Sequence, residues 1–164
     1  MQHRMFQSVL TVIVIVGVAG CCSLCKRGEK AEVAQQVSLA QVPEPARATI
    51  EKKTAGGTIK QIEKTQEGGR TVYDVEATVE GRDVEYDVAA DGSVLTSGQS
   101  VAYASLPAAV RAAAEKYFGS AEGLTGFEES EGGKTFYEVS GKKGKTPMTL
   151  KLTDTGRIVE KERE

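Results

Sequence analysis

The chain is predicted to fold as α+β, in two tandem repeats, each one helix packed on a four-stranded antiparallel sheet. Three observations carry this expectation. Shifted by 64 positions, residues 38–164 align with themselves without a gap: Pro43 meets Pro107, Arg47 meets Arg111, and Glu51-Lys52 meets Glu115-Lys116. In the same alignment Glu67-Gly68-Gly69-Arg70-Thr71-Val72-Tyr73-Asp74-Val75 meets Glu131-Gly132-Gly133-Lys134-Thr135-Phe136-Tyr137-Glu138-Val139. A repeat of this length is one supersecondary unit copied and fused. Each copy opens on a proline-led segment of helical periodicity, and each continues as short alternating runs separated by glycine turns.

Ahead of the repeats, Arg4 precedes an apolar run from Val9 to Val18. The run is shorter than the roughly 20 apolar residues of a comfortable membrane span and fits the apolar region of a secretory signal. It closes on Val18-Ala19-Gly20-Cys21, which resembles the bacterial lipobox, so residues 1–20 are expected to be a signal peptide and Cys21 the lipidated residue. An ordinary signal or an uncleaved anchor is the alternative. Acyl chains on Cys21 would hold a small domain at a bilayer, since two chains anchor stably where one is marginal.

All three cysteines sit at this junction, Cys21, Cys22 and Cys25. A redox use of Cys22-Ser23-Leu24-Cys25 needs a βαβ context to lower the thiol pKa, and the neighbours here read as a tether over residues 21–37. A zinc site lacks ligands to complete four.

In the first repeat, residues 38–100, a helix is expected over Pro43–Thr54, with Ala46, Ile50 and Lys53 in successive rows and Gly56-Gly57 ending it. In the second, residues 101–164, Ser105 is the expected N-cap, Pro107 lies just inside, Ala108–Phe118 is the helix, and Gly119 stops it. Leu106, Val110, Ala114 and Tyr117 share one face of that helix. The strands of the first repeat are Ile59–Thr65, Thr71–Val79, Arg82–Ala90 and Ser93–Thr96. Gly68-Gly69, Glu80-Gly81 and Asp91-Gly92 turn between them. Tyr73, Val75 and Ala77 face inward opposite Val88, Tyr86 and Val84. The second repeat copies this, with Tyr137 and Val139 facing Leu152 and Leu150. Each repeat is about 60 residues, near the lower limit for an independent core, so the two are expected to pack together or share a sheet face.

The helix, the Gly-Gly turn, the strand Phe136-Tyr137-Glu138-Val139 and the closing turn Asp154-Thr155-Gly156 resemble the PepSY-like repeats of exported bacterial proteins. Those are related in fold to the β-lactamase inhibitory protein. The resemblance covers nearly all of residues 38–164. It implies a non-catalytic envelope module that binds or restrains another exported protein, such as a peptidase. Inhibition of a β-lactamase does not carry over, because the helices are shorter and no cysteines brace the loops.

A two-residue loop at Glu80-Gly81 sets the outward pairs as Asp74–Asp87, Glu76–Glu85 and Thr78–Asp83. Like charges directly opposed on neighbouring strands cost a few tenths to about 1 kcal/mol each. The five carboxylates Asp74, Glu76, Asp83, Glu85 and Asp87 are therefore the candidate partner-binding face. A solvated, salt-screened surface and a weak Ca²⁺ site through oxygen ligands are the other readings. The equivalent face of the second repeat carries Glu138, Ser140, Lys142, Thr149 and Lys151, so the carboxylate cluster is expected in the first repeat alone. Beside it, Val72, Ala89 and Val94 form an outward apolar row, matched by Phe136, Thr153 and Ile158. Inter-repeat packing or a binding stripe through Val72 and Phe136 explains that row.

An enzyme is not expected. The only histidine is His3, in the signal, and no cysteine follows Cys25, so nucleophilic catalysis has no base in cis. The Gly-Gly pairs sit in hairpins rather than before helices, which excludes a phosphate-binding loop. Residues 38–100 hold 7 basic and 11 acidic side chains and residues 101–164 hold 10 of each, which argues against nucleic acid. No cofactor is expected. The expected function is a lipid-anchored, protein-binding module facing the periplasm or cell exterior. The alternative is a cation- or ligand-sensing, or passive structural, envelope lipoprotein.

Overall fold

The computed structural model describes residues 34–163, so the signal segment, Cys21 and the Cys22/Cys25 pair lie outside the described residues. Its elements in order are β1 (Gln35–Gln36), α1 (Glu44–Lys53), β2 (Thr58–Glu67), β3 (Arg70–Val79), β4 (Arg82–Ala89), β5 (Val94–Val101), α2 (Ala108–Phe118), β6 (Thr125–Glu131), β7 (Lys134–Lys143), β8 (Thr146–Thr153) and β9 (Ile158–Arg163).

The nine strands form a single antiparallel sheet in the order of the chain. This corrects the expected fold class: there are not two units, each a helix on its own four-stranded sheet. The finding that overturns it is the pairing of β5 with β6, from Thr96 opposite Glu131 to Val101 opposite Gly126. Two separate sheets would each expose a further edge of unpaired N–H and C=O groups; joining β5 to β6 removes both edges. The same pairing extends β5 to Val101, well past the Thr96 expected from apolar alternation, because a strand bonded on both sides can carry the polar run Ser97–Ser100.

Within the hairpins the expected register is observed. Glu80 and Gly81 both take positive φ, 51° and 77°, the geometry that a tight two-residue loop requires. Tyr73, Val75 and Ala77 then stand opposite Val88, Tyr86 and Val84. Both helices cover the same face of the sheet, over two apolar clusters. Val42, Ala46, Ile50, Ile62, Tyr73, Val75 and Val88 form one under α1. Leu106, Val110, Ala114, Leu124, Val139, Leu150 and Leu152 form the other under α2. Between them the helix-side strip of β5 and β6 is polar, with Ser97 opposite Ser130 and Gln99 opposite Glu128.

Helix α2 has the expected span, but Ser105 does not cap it. Pro107 occupies the cap position with φ −52° and ψ 143°, and Ser105 closes a 3₁₀ turn by donating its hydroxyl to the Ala102 carbonyl at 2.7 Å. Proline at the cap fixes the extended φ there and has no N–H to satisfy. The helix starts are held from the sheet by two hairpins. Gly92 has φ +89°, and a β-carbon on it would stand 2.7 Å from the Pro45 carbonyl oxygen. Thr49 Oγ1 donates to the Gly92 carbonyl at 2.9 Å. Gly156, with φ +79°, presses closer still on the start of α2: a β-carbon on it would overlap the Ala109 carbonyl oxygen.

Candidate functional site

With both helices on one face, the other face of the sheet is open, and strand alternation decides what it shows. On β3 it presents Asp74 and Glu76, on β4 Glu85 and Asp87, and on β2 Glu63. Asp74 stands opposite both Asp87 and Glu63, and Glu76 stands opposite Glu85. Asp83 lies at the end of this face, opposite Thr78, where Lys60 Nζ reaches it at 2.5 Å. Four of the five expected carboxylates therefore form one field, and the fifth is paired with a lysine at its margin.

The field does not end with β4, which corrects the expectation that it belongs to the first half alone. Gly98 on β5 stands opposite Glu85 on one side and Glu129 on the other. Phe127 stands opposite Glu138, and Glu129 opposite Phe136. Because β5 pairs with β6, Glu129, Glu131 and Glu138 join the carboxylates of β2–β4 on one surface. Lys151, opposite Glu138 on β8, is the central cation of the second half. Its Nζ lies 2.7 Å from Glu129 and 3.1 Å from Glu131, and 5.0 Å from the Phe136 ring centroid. Lys151 and Glu129 keep only 18% and 15% of their side-chain surface exposed.

The electrostatics follow from crowding. Asp74, Glu85, Asp87 and Glu138 are half-buried. Burial pushes the Asp74 carboxyl up to about 7, helped by Asp87, Glu76, Glu63 and Glu67. Burial likewise pushes Glu85 up to about 8, with Asp74, Glu138, Glu76 and Asp87 adding to it. Glu138 rises to about 7, by burial and Glu129, against the opposing pull of Lys151. Glu76 and Asp87 are raised by burial too, Glu76 against Lys60 and Asp87 against a hydrogen bond from Thr96. Desolvation and like charge act together here, and both favour the neutral acid.

The apolar row divides. Val72 is 0% exposed and Ala89 1%, so Val72 offers no surface and the binding-stripe reading fails at that residue. Phe136 is half-buried beneath the Lys151 ammonium. Tyr73, Tyr86 and Tyr137 lie in or against the cores under the helices. Glu63, Glu129, Glu131 and Phe127 belong to the open face and were not singled out from the sequence. The alternation in Phe127-Glu128-Glu129-Ser130-Glu131 hints at them, but only the β5–β6 register assigns them a neighbour. Among the described residues, no three histidine, cysteine or acidic side chains are grouped so as to hold a metal ion.

Residues 36–95 match the family model described as the peptidase propeptide and YPEB domain, PepSY, so the expected resemblance is found over β1 through the start of β5. None of the curated proteins matches the chain. Among solved structures, the chain is similar to a candidate periplasmic protein from Bacteroides eggerthii, at 16% identity, TM-score 0.56, covering 74% of this chain and 88% of that one. It is similar to a BLIP-like protein from Bacteroides fragilis, at 17% identity, TM-score 0.53, covering 74% and 86%. A DUF2874 family protein from Bacteroides uniformis aligns at 15% identity, TM-score 0.55, covering 74% and 89%. At these identities the likeness is one of fold.

Proposed function

We propose that this protein is a non-catalytic module of the cell envelope that holds another exported protein against the carboxylate face of its sheet. The observation that carries the reading is the continuity of that face: opposed acids on β2–β4 meet Glu129, Glu131 and Glu138 across the β5–β6 seam. Ionised and alone, such a face repels itself. A cationic partner turns that repulsion into attraction, so the binding free energy comes from charges the free protein holds at a cost. A merely solvated surface would have no reason to concentrate like charge on a half-buried sheet.

The PepSY description names a peptidase propeptide, which favours a peptidase as the partner, bound and restrained rather than cleaved. The BLIP-like neighbour supports restraint of an enzyme by a sheet of this type. The apolar run ending at Cys21 and the likeness to a candidate periplasmic protein support export, with Cys21 as the lipid anchor. The absence of a histidine or cysteine after Cys25 supports a non-enzymatic role.

The test is capture from envelope extract, run with the protein beside a variant carrying Asp74→Asn, Glu76→Gln, Glu85→Gln and Asp87→Asn. These changes remove charge while conserving size. A partner captured by the first and lost by the second is expected; a partner retained equally by both would move the site off this face.

A further inference from the structure

Building on the docking reading above, we propose that the β5–β6 seam holds a seat for one lysine or arginine side chain of the partner, with the Phe127 ring as its floor and Glu85 and Glu138 as its walls. Gly98 makes the seat. It is buried, and a β-carbon on it would overlap the Phe127 ring, so the ring occupies the space above the β5 backbone that a side chain would fill. Gly98 stands opposite Glu85 on β4, and Phe127 stands opposite Glu138 on β7. The two acids thus flank the ring from the two halves of the sheet and repel each other across it.

The molecule contains a filled version of the same arrangement one strand pair away. There the Lys151 ammonium lies over Phe136, between Glu129 and Glu131, with 18% of its side chain exposed. A ring and two carboxylates on this sheet therefore suffice to hold an ammonium. Among the described residues, cation–ring contacts fall on Tyr86, Tyr117 and Phe136, and none on Phe127. The other charged groups around the seat are Asp74, Glu76 and Asp87 beside Glu85, and Glu129, Glu160, Glu162 and Lys151 beside Glu138. Lys151 is committed to Glu129 and Glu131, so the field over Phe127 is negative. A ring face attracts a cation, more strongly where water is partly excluded, and a neighbouring carboxylate pair excludes anions.

The test is fluorescence anisotropy of a labelled hexalysine peptide with the purified protein at low ionic strength, where screening is weak. Glu85→Gln and Glu138→Gln are each expected to weaken binding about tenfold, and Phe127→Leu roughly threefold, the sizes that a desolvated charge pair and a cation–π contact supply. Glu67→Gln on β2, exposed on the same face but outside the groups around the seat, is expected to change it less than about twofold. Equal losses for Glu67→Gln and the two seat acids would overturn the seat and leave the docking face standing. No hexalysine binding by the unaltered protein would overturn both. If Phe127→Leu does not fold, the aromatic resonances of Phe127 in the unaltered protein answer the same question: they are expected to shift on titration, and unmoved resonances would overturn the seat.

Discussion

Asp74 stands directly opposite Asp87 across β3 and β4, and on its other side it stands opposite Glu63. Three carboxylates in one row across three strands would each be destabilising neighbours when ionised, and the sheet keeps them half-buried as well. The consequences are measurable in the free protein.

Stability should fall as pH rises through neutrality. Asp74 and Glu138 titrate near 7 and Glu85 near 8 in the folded chain, against ordinary values of 3.8 and 4.5. Between those limits the folded state holds more protons than the unfolded one, so the free energy of unfolding decreases with increasing pH. The stabilisation is full below the unfolded values and is lost as pH passes the folded ones. Thermal melts are expected to show a midpoint several degrees higher at the acid end of that window than above its upper limit; a flat or opposite profile would refute this.

Removing one member of the row should stabilise the protein in alkaline buffer. Asp74→Asn is expected to gain roughly 0.5–1 kcal/mol above the folded titration range and to flatten the pH profile. Denaturant titrations at the two ends of the window measure both effects. A loss of stability at high pH would mean that the Asp74 carboxylate is held by favourable contacts.

Proton linkage should extend to binding. A cation bound to the carboxylate face favours the ionised acids, so binding takes up the cost of their deprotonation. Hexalysine affinity is therefore expected to rise as pH increases from acid through about 8, the value Glu85 reaches, and the Glu85→Gln protein should respond less. Affinity that falls with rising pH would contradict a cationic ligand at these groups.

The hairpin contacts on the helices can be separated from backbone preference alone. Gly92→Ala and Gly156→Ala each place a β-carbon against a helix-start carbonyl at positive φ, whereas Gly144→Ala, at φ +64°, meets open space. The first two are expected to cost roughly 2–4 kcal/mol and the third about 1–2, the ordinary penalty of a left-handed alanine. Equal costs in urea melts would show that docking of these turns contributes nothing.

Calcium should leave the melting midpoint unmoved at millimolar concentration, because the acids are spread along a sheet and no three of the described residues converge as ligands. A rise of several degrees would restore a cation-binding reading.

What was legible in the sequence was local. The β3–β4 register followed pair by pair from one two-residue loop, since that loop fixes which residues oppose and a slip would turn every side chain over. The span of α2 followed from apolar rows bounded by Pro107 and Gly119. The β5–β6 pairing did not follow, because Thr96 and Glu131 are joined through a helix rather than a turn, and Ser97-Gly98-Gln99-Ser100 lacks apolar alternation. That one pairing turns two expected sheets into one and carries the acidic face across the seam to Glu129, Glu131 and Glu138. Strand β1 was hidden for a related reason: Gln35 and Gln36 are polar and held by backbone pairing with Lys64 and Glu63. Val72 shows the limit of alternation itself, which identifies the face a residue points to but not whether that face is covered there.

The most direct measurement is site-specific photo-crosslinking in the intact envelope, with the photoreactive residue at Thr96 or, separately, at its neighbour Ser97. Thr96 lies between Asp87 and Glu131 on the open face, and Ser97 between Tyr86 and Ser130 on the helix side. A protein adduct from Thr96 that is absent from Ser97, and lost when Asp74, Glu76, Glu85 and Asp87 are amidated, is the predicted result. An adduct formed from Ser97 and not from Thr96 would contradict docking on the carboxylate face.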